Sequence, residues 1–163
     1  DDLIECVYNM QTRNLDDTGS HDARRGNGSC STDFKLFDSK NAIIKKVSKD
    51  LTCLMEEAVG SNIIILDSFF NILKSGGGTS PHVHVTDLDK DFEIGADKYS
   101  LVYYLSVGDP NCTEPGILKI YDPDHDTLPS KGMITIIESS RLHSAIYNGK
   151  TDRVMIGVNF YAL

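Results

Sequence analysis

Apolar positions along the chain change period once, at Gly60. Before it, Ile43, Ile44, Val47, Leu51, Leu54, Met55, Ala58 and Val59 recur at three- and four-residue spacing, the stripe of an amphipathic helix over residues 39–59. Asp38 or Ser39 is placed to cap its start, and Gly60 to stop it. Beyond Gly60 the period is two. Strands are predicted at 62–74, 80–86, 99–107, 116–121, 132–138, 142–148 and 152–162, rich in Ile, Val, Tyr and Phe. Gly76 to Gly78, Gly108 to Asn111, Asp122 to Pro129 and Asn148 to Asp152 punctuate them. Successive strands with no helical pattern between them mean a sandwich or barrel, with the preceding helix laid over one face. Leu3, Val7 and Met10 mark a weaker helical element in residues 3–12, and Phe34, Leu36 and Phe37 a short strand or anchor. Residues 16–33 are Gly, Ser, Asn, Asp and Arg with almost nothing to bury, and read as a long loop.

Composition narrows the class. The chain has 163 residues, 24 acidic and 16 basic, for a net charge of −8. That length fits one domain, residues 1–61 supporting a β core over 62–163. The acidic balance argues against nucleic-acid binding by phosphate neutralisation, and no apolar run reaches the roughly 18 residues of a membrane span. Cys6, Cys30, Cys53 and Cys112 form no CxxC pair and read as free thiols, the expectation for a cytoplasmic protein. The chain opens on aspartate, which reads as an excised domain or processed product.

Candidate chemistry sits in the histidines. In Pro81-His82-Val83-His84-Val85, the two imidazoles of an extended segment share a face and can converge on one metal ion. The same spacing also describes two solvent-facing strand histidines. His143 follows the apolar strand 132–138, and Arg153 lies ten residues further on, at the start of the last strand. There Arg153, Met155, Gly157 and Asn159 face one way, and Val154, Ile156, Val158 and Phe160 the other. An arginine so placed is either surface charge or the two-pronged anchor of a carboxylate. His125 and His21 lie in polar turns and read as solvated. Arg24, Arg25 and Gly26 belong to a surface loop or to a lid that recognises substrate.

These stretches, in order, resemble the Fe(II)- and 2-oxoglutarate-dependent oxygenases. The likeness runs through Gly76 to His84, Tyr99-Ser100-Leu101-Val102-Tyr103-Tyr104-Leu105, Pro115 to Pro123, Leu128 to Gly132, His143 and Arg153, over residues 62–163. It is nearest to small microbial HxH-type domains, some attached to tetratricopeptide repeats, and more distantly to prolyl hydroxylases. The resemblance implies a double-stranded β-helix, a jelly-roll or cupin-like core, and possession of upstream repeats in a longer protein would fit the aspartate start. It implies Fe(II), with 2-oxoglutarate and O2 as co-substrates, and hydroxylation of a C–H bond with release of succinate and CO2. His82 and His143 match metal ligands, and Arg153 the partner of the distal 2-oxoglutarate carboxylate. Tyr104, or Tyr103 if strand parity differs, matches a tyrosine donating to the same carboxylate, and Asn159 shares the face of Arg153.

Two positions depart from the family pattern. His84 stands where most members have Asp or Glu, so the third ligand is either His84 or a carboxylate swung in from Asp87 or Asp89. Met155 stands where many have serine. An amino-acid side chain or a small metabolite is the expected substrate. The competing readings are a cupin-type metal protein without 2-oxoglutarate (a thiol dioxygenase, isomerase or small-molecule-binding module) and a non-enzymatic binding domain. The first has no need of Arg153, and the second predicts no visible charge-transfer band when Fe(II) and 2-oxoglutarate are added without oxygen.

Overall fold

The computed structural model describes residues 2–163. After helix α1 (Asp2–Tyr8) come three short strands, β1 (Thr12–Asn14), β2 (Arg24–Arg25) and β3 (Gly28–Ser31), then the long helix α2 (Ala42–Val59). The rest is β4 (Ile63–Leu73), β5 (Gly77–His82), a short helix α3 (Asp87–Asp91), β6 (Lys98–Val107), β7 (Leu118–Ile120), β8 (His125–Thr127), β9 (Ile134–Glu138), β10 (His143–Tyr147) and β11 (Arg153–Ala162). They form a six-stranded sheet, β1-β3-β4-β11-β6-β9, facing a five-stranded sheet, β2-β5-β10-β7-β8. The fold is mainly β, a jelly-roll sandwich with helices on one sheet, as the sequence led us to expect. Among the described residues no helix is long and apolar enough to cross a membrane.

The helices cover the outer face of the six-stranded sheet. Phe70 and Ile72 of β4, Leu101 of β6, and Val154, Ile156, Val158 and Phe160 of β11 pack with Ile44, Leu51 and Met55 of α2 and Val7 of α1. All are 4% exposed or less, and full burial of such side chains stabilises by about 1.5–3 kcal/mol each. This leaves the alternate residues of the same strands facing the five-stranded sheet, where the site lies. Gly60 ends α2 in the left-handed region, its N–H donating to Glu56 O at 2.9 Å.

Several local expectations give way. The cap of α2 is Asn41, whose Oδ1 accepts from Ile43 N at 2.8 Å and Ile44 N at 3.3 Å. Asp38 and Ser39 are instead taken up by the preceding 3-10 turn, Leu36–Asp38, where Ser39 N donates to Leu36 O. Residues 16–33 are not a free loop. They supply β2 to one sheet and β3 to the other, with Cys30 fully buried beside Leu15, Leu73 and Tyr147. Backbone pairing explains the error, because a strand that wins its place by ladder hydrogen bonds needs little apolar content. The first 61 residues, read as helical and loop support, therefore also extend both sheets. The polar turn Asp122 to Pro129 likewise contains β8, paired to β7. Residues 87–91 form α3, capped by Thr86, in a connection with no helical periodicity to announce it.

Candidate metal and carboxylate site

β5 ends at His82, directly opposite His143 at the start of β10. Between Thr79 and His82 this strand carries a bulge, with Ser80 and Pro81 opposing Ser144 alone. The bulge puts His82 on the inner face in register with His143. His84 lies just past the strand end, where 80–86 had been expected to continue. Its N–H donates to Ser139 O at 2.8 Å, and its ring centroid lies 4.9 Å from that of His82. The ligand nitrogens of His82, His84 and His143 all lie within 4.8 Å of one another.

Hydrogen bonding sets the tautomers. Nδ1 of His82 meets Ser80 O at 2.7 Å, and Nδ1 of His143 meets Arg141 O at 2.8 Å. A carbonyl only accepts, so both Nδ1 atoms carry the proton and both Nε2 lone pairs are free. His84 Nε2 lies 3.2 Å from His143 Nε2. Two nitrogens bound to one metal at about 2.1 Å would have that order of separation. Burial lowers the pKa of all three imidazoles. His143 falls to about 4, and His84, which also faces its two neighbours, to about 3. They are neutral at pH 7, the form a metal requires. Three neutral imidazoles suit Fe, Zn, Cu or Ni.

No carboxylate joins this group among the described residues. Asp87 sits in the first turn of α3 with its side chain in solvent, paired to Lys90 at 3.1 Å. Asp89 is buried but turned away, holding Lys98 Nζ at 2.8 Å and accepting from Tyr161 and Thr86. Burial alone would raise its carboxyl; these donors outweigh it and hold the group well below the usual carboxylate range.

The triad opens into a cavity of about 470 Å3 between the sheets, whose floor is β11. At one end is Arg153, 1% exposed. One guanidinium nitrogen donates to Pro115 O at 3.0 Å, the plane lies over Tyr104 at 5.1 Å, and Nε is buried without a partner. No described acid forms an ion pair with it. Gly116 permits this placement: its φ is +80°, and an added Cβ would sit 2.2 Å from the guanidinium. Tyr104 faces the cavity opposite Met155, whereas Tyr103 pairs with Ile156 and packs against the helix layer. Asn159 shares the face of Arg153 but does not join it. Six residues along β11, about 20 Å away at strand rise, its amide is held between Asp67 Oδ1 at 2.7 Å and Ser100 Oγ at 2.6 Å.

Sequence reading missed Asp67 and Lys98 at the other end of the cavity; Arg24, named there only as part of a surface loop or substrate-recognising lid, lies over the rings of Phe34 and Phe69 and lines the same cavity. A signal existed for Asp67, the lone carboxylate in the apolar run Ile63 to Phe70. A second depression, of about 380 Å3, lies on the opposite face of the five-stranded sheet and contains neither the triad nor Arg153.

No family model matches the chain, and no curated protein does. Solved structures do. HygX of Streptomyces hygroscopicus, with nickel and 2-oxoglutarate bound, superposes at a TM-score of 0.70 and 10% identity, covering 99% of this chain and 77% of that one. An oxidoreductase of the 2OG-Fe(II) oxygenase family from Burkholderia pseudomallei gives 0.67 at 11% identity, over 98% and 77%. A Trichoplax adhaerens prolyl hydroxylase, in complex with a hypoxia inducible factor peptide fragment, gives 0.65 at 16% identity, over 99% and 74%. The chain thus has the fold of the 2-oxoglutarate-dependent Fe(II) oxygenases, and a three-histidine group inside it.

Proposed function

We propose that this protein is an Fe(II)- and 2-oxoglutarate-dependent dioxygenase that hydroxylates a C–H bond. In such a reaction O2 and 2-oxoglutarate are consumed, one oxygen atom enters the new alcohol, the other enters succinate, and CO2 leaves. The observation that carries this reading is Arg153, a buried guanidinium with an unpartnered Nε, aimed into the same cavity as three convergent neutral histidines. A buried cation is costly without an anion beside it, and a cupin site that uses no dicarboxylate has no need of one here.

His82, His84 and His143 would hold the iron, which when bound supplies the activation of O2. Arg153 would bind the distal carboxylate of 2-oxoglutarate, with the Tyr104 hydroxyl as second donor, fixing its orientation before chemistry begins. Val102, Leu118, Ala145 and Met155 line the cavity with apolar surface and limit water beside the reacting groups. The Ser80 and Arg141 carbonyls keep two imidazoles from turning.

The test is anaerobic titration with Fe(II) and 2-oxoglutarate. Wild type should develop a visible charge-transfer band. Arg153→Ala should need about 100-fold more 2-oxoglutarate to reach it, the scale of losing a charge-assisted pair in a dry site. Absence of the band from both proteins, or equal midpoints, would overturn the reading.

A further inference from the structure

Each end of the cavity holds a charged side chain without an ion pair of its own, Arg153 at one and Asp67 at the other. At the Arg153 end the excess is positive. At the other, each cation already has its own acid: Arg24 Nε donates to Asp22 Oδ1 at 2.9 Å, and Lys98 Nζ to Asp89 Oδ2 at 2.8 Å. Asp67, on the cavity wall between them, forms no ion pair. Its hydrogen bonds come from a neutral residue, Asn159, through the side-chain amide at 2.7 Å and the backbone. Arg24 and Lys98 are thus each committed to another acid, and Asp67, which faces the cavity, has no ion-pair partner of its own. Beside it, Phe34 and Phe69 meet edge to face at 5.6 Å, with the Arg24 guanidinium over both rings. Gly157 leaves the space Phe69 occupies, since an added Cβ would lie 2.4 Å from that ring.

We propose that Asp67 anchors a cationic group, a protonated amine or guanidinium, of the substrate hydroxylated at the triad. This rests on the oxygenase reading above and adds the substrate class to it. Arg153 and Asp67 then sort the two organic reactants by charge: the dianionic co-substrate is drawn to one end and the cationic substrate to the other, with the histidines between. Burial raises the Asp67 carboxyl above its ordinary value, outweighing Asn159, Lys98 and Arg24, which pull it the other way.

The test is calorimetric titration of protein loaded with Ni(II) and 2-oxoglutarate, using hexylamine and agmatine against 1-hexanol and hexanoate. Wild type should bind the two amines at least about tenfold more tightly than the alcohol, and hexanoate most weakly. Asp67→Asn, which keeps an oxygen for Asn159, should erase the preference while changing 2-oxoglutarate affinity by no more than about twofold. Equal binding of amine and alcohol by wild type overturns the proposal with no variant needed. An undiminished preference in Asp67→Asn overturns it as well. If 2-oxoglutarate fails to bind but the Asp67-dependent amine preference persists, the cation site stands and the oxygenase reading falls.

Discussion

The two sheets divide the work differently. The six-stranded sheet has one face sealed by α1 and α2 with almost wholly buried aliphatic and aromatic side chains, and the other lining the cavity. The five-stranded sheet has no helical cover; it contributes short strands, a bulge at Ser80-Pro81, and two of the three histidines at strand ends. β11 belongs to both economies at once, since Val154, Ile156, Val158 and Phe160 hold the helices while Arg153 and Gly157 line the cavity. Alternation along a single strand separates a stabilising face from a chemical one. Damage to either face should therefore have a distinct signature.

The largest expected effect breaks the stabilising side. Phe160→Ala should cost about 3–5 kcal/mol of unfolding free energy, read by urea denaturation, while protein still folded binds Fe(II) or Ni(II) normally. His143→Ala is its converse. It should weaken metal binding by more than about 100-fold, beyond the loss typical of outer partners of a metal site, yet leave the urea midpoint of metal-free protein near wild type. Similar unfolding losses in both variants would mean that the two faces are not energetically separate.

A smaller effect sharpens the boundary between the sheets, where the Asp89–Lys98 pair ties α3 to β6 with both side chains nearly inaccessible. The folded-state pKa of Asp89 is depressed, so its contribution is present above the unfolded value of about 3.9 and fades as pH falls below it. Asp89→Asn should accordingly be destabilised by about 3 kcal/mol at pH 7, the cost of leaving buried Lys98 uncompensated. The gap to wild type should narrow as denaturation is repeated from pH 5 down to pH 2. A gap independent of pH would show that the carboxylate charge is not what the site uses.

The smallest is Asn41→Ala, which removes the cap of α2 and should cost about 1 kcal/mol with no change in metal or 2-oxoglutarate affinity. A change in either would tie the helix layer to the cavity more closely than the packing implies.

Much of this was legible in the residues. α2 announced itself by period, β11 by strict alternation that placed Arg153 and Gly157 opposite Ile156 and Val158, and His82 with His84 by two-residue spacing. Tyr104 against Tyr103 was undecided, because the parity of β6 depends on where its ladder bulges against β11, between Val154 and Met155. The edge strands β2 and β3 were invisible, since polar segments join a sheet through backbone bonds that side-chain pattern does not report. Asn159 shares the face of Arg153 and lines the same cavity, six residues further along β11, and alternation alone carries no measure of such separations.

By itself the sequence determined the helix, the strands with a buried face, and the histidine and arginine positions, because hydrophobic period is a local property of the chain. Only the tertiary structure decided which charges are left over. The third histidine joins the triad because His84 N–H is held by Ser139, while Asp87 is carried into solvent on α3. Asp67 has no ion pair because Arg24 and Lys98 are held by Asp22 and Asp89, acids near them in the chain, and no described acid pairs with Arg153. Pairing of charges is a property of three-dimensional proximity, and it is that pairing which gives the cavity its positive end, its negative end, and a metal-binding group between.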